Sequence, residues 1–320
     1  MTARSHIAGM SLLMALALCA CSSAGGEGTE PELGSVPTPG HLDPAQLVTP
    51  LDAYLPTPEE NYTLKKARVL LVNACMRDLG YAQNPQPLGR FTDKPYLEHT
   101  EFLVSPLVQV ERYGYKPAPD AKGDGSETDA RYGENVTETQ GGLLTGKIAT
   151  YNGRKVPKGG CEGEALRTIT AGARTAQEVK LPDGSAAGAG EDGFSEGYAE
   201  LVVSAARGKA MARTQGDSRF TDVGEEWSDC MKKQGYDYDS PSDARNDKRW
   251  ADASRAGEKE IAVAVADMGC KKKVNYLGVG IAVLSVHEKR VIEDSAEVLQ
   301  GAKDKTARWI ENANKAIEAR

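Results

Sequence analysis

The sequence predicts a mainly α-helical protein: two disulfide-tied helical units, an irregular insertion in the first, and a long C-terminal helix. The first reason is a seven-residue phrase that occurs twice, as Cys75-Met76-Arg77-Asp78-Leu79-Gly80-Tyr81 and as Cys230-Met231-Lys232-Lys233-Gln234-Gly235-Tyr236. Each copy closes a stretch of helical periodicity at a glycine. The second reason is that each copy is followed at a distance by a Gly-Cys pair, Gly160-Cys161 and Gly269-Cys270. The third is an aromatic content of only 6%, which disfavours large buried sheets while leaving room for a small β element between 90 and 155.

A chain of 320 residues is long enough for two modest domains or one elongated one. Behind Arg4, residues Ile7 to Ala20 form an apolar run too short to span a bilayer as a stable helix and followed at once by polar residues. That is the pattern of a signal peptide, so residues 1–20 are expected to be removed. The run ends Leu18-Cys19-Ala20-Cys21. In a bacterial lipoprotein box a small residue precedes the cysteine that takes the diacylglyceryl group. Ala20 meets that requirement for Cys21, and Leu18 fails it for Cys19. Cys21 is therefore the expected lipid site, which places the protein at the cell membrane facing outside the cytoplasm. Two or three acyl chains anchor stably where one is marginal, because each buried methylene contributes about 0.8 kcal/mol. The formal net charge of −7 becomes more negative with the loss of Arg4, which argues against nucleic acid as a partner.

Six cysteines less Cys19 and Cys21 leave four, in a compartment that permits disulfides. Four cysteines allow three pairings. The repeat favours Cys75 with Cys161 and Cys230 with Cys270, because a duplicated unit should carry its own bridge.

Residues 21–57 contain Pro31, Pro37, Pro39, Pro44, Pro50 and Pro56 and lack apolar periodicity over most of their length. They are expected to form a tether with a random-coil reach of roughly 30–35 Å. The first unit, 58–181, opens on Thr57-Pro58-Glu59-Glu60, a capping box with proline at the first helical position. Leu64, Ala67, Leu71, Ala74 and Cys75 follow on one helical face, and Gly80 is placed to end the helix in the left-handed conformation. Residues 82–160 are the least regular part, with an exposed loop expected from Pro117 to Gly142. Cys75 and Cys161 lie about twice as far apart as Cys230 and Cys270, so this irregular stretch is the insertion. Glu164 to Ala176 can form a helix, and the Gly/Ala-rich stretch 182–193 reads as a linker.

The second unit, 194–320, begins with an amphipathic helix marked by Tyr198, Leu201, Val202, Ala205 and Ala206. The helix carrying Trp227 and Cys230 follows and closes at Gly235. Ser240-Pro241-Ser242-Asp243 is a further start signal, with a helix expected to about Ala256. From Glu258 the pattern is helical almost to the end, with breaks expected at Gly269, Gly278, Gly280 and Gly301. The apolar run Val274 to Val286 is too short to span a membrane and reads as core. The last stretch carries Asp304/Arg308 and Glu311/Lys315 in favourable i,i+4 order. Val291/Val298 and Ile310/Ile317 are spaced by seven, which suits a long projecting helix or a helix pair.

Val156-Pro-Lys-Gly-Gly-Cys161-Glu-Gly-Glu-Ala165, Trp227-Ser-Asp-Cys-Met-Lys-Lys-Gln-Gly-Tyr236 and Ile261-Ala-Val-Ala-Val-Ala-Asp267-Met-Gly-Cys270-Lys271 are three segments that resemble a group of actinobacterial secreted lipoproteins. The resemblance extends over roughly residues 60–300. It implies a helical protein with two disulfides and a lipid anchor, and it carries over no catalytic residue.

Gly193-Phe194-Ser195-Glu196-Gly197 matches the Gly-x-Ser-x-Gly nucleophile elbow, and the order Ser195, Asp267, His287 suits a hydrolase. The elbow, however, requires a buried strand directly before the serine, and a Gly/Ala-rich linker stands there. Ser195 as a helix N-cap is the simpler reading. No metal is expected: only His99 and His287 fall in the folded part, and no zinc spacing exists. Asp124 to Asp129 lacks the glycine and the final glutamate of a calcium loop. Asp237, Asp239 and Asp243 read as a solvated loop and helix start. Met76/Tyr81 and Met231/Tyr236 are candidates to line a pocket for an apolar or aromatic ligand, against the simpler reading that they are core. The expected function is a non-enzymatic binding or scaffold lipoprotein of the cell envelope without a cofactor. It would be held on the membrane by its lipid and would meet an envelope protein through the C-terminal helix. A serine hydrolase using Ser195 and a ligand-capture component of a transporter are the alternatives.

Overall fold

Helix α1 (Pro58–Asp78) begins as its capping box dictates: Thr57 Oγ1 accepts from the Glu60 amide, and Glu60 Oε2 accepts from the Thr57 amide at 2.7 Å. The computed structural model describes residues 30–38, 48–83, 85–89, 91, 110–116, 136–172, 179–187 and 197–320. The residues 1–20, Cys21, His99, the Asp124–Asp129 stretch and Ser195 lie outside them. Four further helices follow α1: α2 (Val110–Tyr113), α3 (Glu138–Thr145), α4 (Gly160–Ile169) and α5 (Tyr198–Gln215). Five more among the described residues are α6 (Ser218–Lys233), α7 (Pro241–Arg245), α8 (Glu258–Lys273), α9 (Tyr276–Asp294) and α10 (Ala296–Glu318). Two small antiparallel hairpins pair β1 (Thr150–Tyr151) with β2 (Arg154–Lys155) and β3 (Val179–Lys180) with β4 (Ala186–Ala187). The protein is thus mainly helical, and its disulfides are Cys75–Cys161 and Cys230–Cys270, each with Cα atoms 5.6 Å apart.

The repeated phrase is the signature of a helix ending. At the end of α1 the Tyr81 amide donates to Met76 O at 2.8 Å and the Gly80 amide to Arg77 O at 2.8 Å. At the end of α6 the Tyr236 amide donates to Met231 O and the Gly235 amide to Lys232 O, both at 3.0 Å. These are the paired bonds of a Schellman motif, with Gly80 and Gly235 in the left-handed region at φ +85° and +87°. The motif favours an apolar contact between the residue after the glycine and the residue four before it. Tyr and Met stand at those two positions in both copies, and the cysteine one residue earlier staples each helix end.

The two disulfide-tied halves share one core. A single apolar cluster runs from Leu51, Leu71 and Cys161 through Val203 and Trp227 to Leu284, Leu299 and Trp309. Within it α1 packs on α4 and α10, α5 on α9 and α10, and α6 on α8 and α9. The folded body starts before residue 57, where the composition puts the end of the tether. A 3-10 turn at Pro50–Tyr54 buries Leu51 completely, and the Leu51 amide donates to Glu288 Oε2 at 2.9 Å. Farther upstream, Pro37 O accepts from Asn275 Nδ2 at 2.9 Å. A side chain at Gly278 would overlap that carbonyl, so glycine there serves a close backbone approach.

Other departures have local causes. The stretch Glu258–Glu318 breaks at Asn275, which is left-handed at φ 54°, and at Ser295, while Gly269, Gly278, Gly280 and Gly301 sit inside helices. Helix α7 ends at Arg245 rather than near Ala256, because the Trp250 indole folds back to donate to Ala244 O and Arg245 O. Helix α4 ends at Ile169 rather than near Ala176, with Asn312 Nδ2 donating to Ile169 O and Ala171 O. The loop expected over Pro117–Gly142 gives way to α3 at Glu138. Gly142 is buried there because its bare Cα admits Ile148.

Gly160 illustrates the same economy of space. At φ +71° it faces Leu144 and Gly146 so closely that a Cβ would overlap the Leu144 carbonyl oxygen and the Gly146 amide. Gly160→Ala is expected to cost about 2–4 kcal/mol, adding left-handed strain to backbone overpacking. Gly153→Ala, at φ +73° with open space around it, should cost only about 1–2 kcal/mol. Urea midpoints of the two variants check the difference.

Candidate functional site

A groove of about 760 Å³ opens where the C-terminal ends of α1 and α10 meet α4 and the β1–β2 hairpin. Its floor is apolar: Leu71, Leu79, Ala165 and Ala316 are buried, and Cys75 brings one edge of the first disulfide to the surface. Its rim is polar and exposed. Arg154 and Lys155 come from the hairpin, Lys315 and Arg320 from the end of the chain, and Asp78 and Glu164 from α1 and α4.

The first copy of the phrase builds this rim. The Schellman ending turns the chain at Gly80, and Asn152 Nδ2 donates across to Leu79 O at 3.3 Å. Tyr81 packs edge-on against Tyr151 with ring centroids 6.2 Å apart, and its hydroxyl meets Thr137 Oγ1 at 3.2 Å. The hairpin is thereby held against the helix end, with Asn152 and Gly153 in the left-handed conformations of a two-residue turn. Arg154 and Lys155 follow directly and reach the groove. On the far side Asn312 fastens α10 to the end of α4, and Lys315 is drawn to Glu311 at 2.7 Å. A surface of this kind suits a ligand with an apolar part for the floor and negative charge for the rim.

The basic rim escaped the sequence reading. The available signal was the Asn152-Gly153 pair after Ile148-Ala149-Thr150-Tyr151, since Asn-Gly is the preferred two-residue hairpin turn. Nothing in the sequence pairs that hairpin with Lys315 and Arg320.

The Met and Tyr candidates for a pocket stand at the two helix endings. Met76, Tyr81 and Met231 are buried in the core, and Tyr236 is half-buried against it, because the capping motif turns these side chains onto their own helices. Asp237 and Asp239 are exposed, and Asp243 caps α7 through Ser240. Among the described residues no group of three or more His, Cys, Asp or Glu side chains is placed to hold a metal ion. No helix among them is long and apolar enough to cross a membrane.

Asp267 and His287 have separate partners. The fully buried Asp267 accepts from Trp227 Nε1 at 2.9 Å and from Lys271 Nζ at 3.1 Å. Burial pushes the Asp267 carboxyl up and the Lys271 ammonium down, and their ion pair opposes both shifts. The carboxylate beside His287 is Asp217, 3.0 Å from Nε2, while Nδ1 is buried without a partner.

Burial lowers the His287 proton affinity, and Arg290 and Arg213 add to this, against the opposing pull of Asp217. With the folded value depressed, the unfolded chain binds the extra proton first. Stability is then full above the ordinary histidine range and falls as pH drops through it towards the lower folded value. The melting temperature should decline from pH 7.5 to 5.5, and His287→Gln should flatten that slope.

A scan against protein-family models, a search of curated proteins and a search of solved structures each find no match to this chain.

Proposed function

We propose that the protein is a lipid-anchored binding protein of the cell envelope, carried outside the cytoplasm on Cys21. Its contact surface is the groove at the C-terminal end of α10, and its partner is an acidic envelope-protein segment bearing an apolar anchor. One observation carries this reading: four basic side chains against two acidic ones rim an apolar floor in a chain whose formal net charge is −7. Positive charge gathered against the overall balance marks a place that attracts negative charge. The rim side chains are exposed, which leaves them free to meet a segment laid along the groove. The apolar face of α10 is already taken by α1 and α5, through Leu299, Ala302, Trp309 and Ala313. What the C-terminal helix can offer a partner is therefore its charged side and this end.

A photoreactive benzoylphenylalanine at Ala319, on the groove wall, tests the proposal in cells. A discrete cross-linked adduct is expected, reduced at least about tenfold by Arg154→Glu with Lys155→Glu, since opposite charges at a binding rim govern capture. Absence of an adduct, or an adduct indifferent to the charge reversal, would sink the reading.

A further inference from the structure

Helices α6 and α8 end side by side. The bridge joins Cys230 and Cys270, each shortly before its helix end, and one turn earlier Trp227 Nε1 donates to Asp267 Oδ1 at 2.9 Å. Both links connect residues 40 positions apart in the chain. Antiparallel helices would bring Trp227 towards Lys273 instead. The constant offset therefore means that α6 and α8 run parallel and that their last turns leave the core in one direction.

Those turns carry Lys232 and Lys233 on α6, and Lys271, Lys272 and Lys273 on α8. Lys271 is buried against Asp267, and the other four lysines are exposed. The exposed acids nearest to them in sequence are Asp229, one turn back from the end of α6, and Asp237. From Met268 to His287 there is no acidic residue. A helix C-terminus favours cations through its dipole. Helix α9, however, has no basic residue in its last turn and α10 has one, so the dipole alone does not call for four lysines in one place.

The segment that leads back to Cys21 joins the folded body at this same end. Asn275, two residues beyond Lys273, holds Pro37 O through the hydrogen bond described above, and Gly278 leaves room for that carbonyl. Cys21 lies only sixteen positions before Pro37. Glu32 is the exposed acid between Pro31 and Pro37, and with it the lysines still outnumber the acids.

We propose that this end is a second membrane contact, at which Lys232, Lys233, Lys272 and Lys273 rest on anionic lipid headgroups and orient the body tethered by the lipid. The proposal rests on the anchor assigned to Cys21 and is independent of the groove. One attachment point limits distance and leaves orientation open. Lysines beside it add attraction to a negatively charged surface, each worth about fivefold in partitioning.

Co-sedimentation with phosphatidylcholine vesicles, with and without phosphatidylglycerol, tests it. The protein is the chain from residue 21 with Cys21→Ser, so neither acyl chains nor residues 1–20 contribute. Binding is expected to the anionic vesicles alone and should fade as salt is added. Lys232→Glu, Lys233→Glu, Lys272→Glu and Lys273→Glu together should weaken it at least about tenfold. Arg154→Glu with Lys155→Glu, at the groove, should bind as the parent chain does. If the glutamate variant fails to fold, glutamine at the same four positions decides. A folded parent chain that ignores anionic vesicles, lysine variants that bind as the parent does, or loss confined to the groove variant would overturn the assignment. Because the tested chain carries no lipid, none of these outcomes turns on whether Cys21 is the anchor.

Discussion

Arg207→Met is expected to lower stability by about 3–5 kcal/mol, the usual consequence of removing one member of a buried ion pair. Glu288 lies at the centre of α9 with its side chain fully buried. Its Oε1 accepts from Arg207 Nε at 3.2 Å, and its Oε2 accepts from the Leu51 amide. Arg207 extends from α5 and also donates to Asp52 Oδ1 at 2.6 Å. Asp52 in turn takes the Thr49 amide at 2.6 Å. One guanidinium therefore joins α5, α9 and the 3-10 turn that begins the folded body. Without it, Glu288 keeps a single backbone donor and a buried negative charge. Since a domain's net stability is commonly about 5–15 kcal/mol, the loss should be plain in a urea midpoint at pH 7. Adding Glu288→Leu removes the stranded charge and should recover most of the deficit, because buried pairs replaced whole by apolar residues are often neutral. A cost below about 1 kcal/mol for Arg207→Met would mean that the network does not hold these elements together.

The elements of this fold were legible where chemistry is local. The capping box at Thr57–Glu60, the two helix endings and both disulfide pairings follow from residues a few positions apart or from a repeat. Glycine misled where its role is packing rather than termination: Gly278 and Gly301 lie within helices, and Asn275 makes the break. The long-range assembly had no local mark. Helix α2, from the irregular insertion, packs on α8 of the other half, with Val110 against Ala264. Nothing in the residues around Val110 names that neighbour. The groove is the same case, since it joins a hairpin near 154 to a helix end near 316 through tertiary contacts alone. The Met and Tyr repeat was visible, but its periodicity is shared by a ligand wall and a helix cap. Backbone geometry at Gly80 and Gly235 shows the cap.

Replacing Cys230 and Cys270 together by alanine is expected to be the more damaging of the two disulfide deletions. In the chain-entropy picture a bridge across 40 residues contributes about 4 kcal/mol and one across 86 about 4.5. Loop length alone would thus rank the first bridge slightly higher. The surroundings reverse the order. Cys230 on α6 and Cys270 on α8 are both buried, and one turn before each stand Trp227 and Asp267, themselves hydrogen-bonded to each other. Asp267 also holds Lys271, so the bridge clamps the two helices that enclose a buried ion pair. If the helices part, that pair is exposed to partial solvation and loses the indole donor, a cost beyond loop entropy. Cys75 is half-buried, and the described residues inside its loop form only the short helices α2 and α3 and one small hairpin, so less packing depends on it. Urea midpoints of the two double variants decide the ranking, with non-reducing peptide mapping to confirm the remaining bridge in each. A Cys75→Ala/Cys161→Ala protein less stable than its Cys230→Ala/Cys270→Ala counterpart would show that loop length, and not the packing around the bridge, sets the loss.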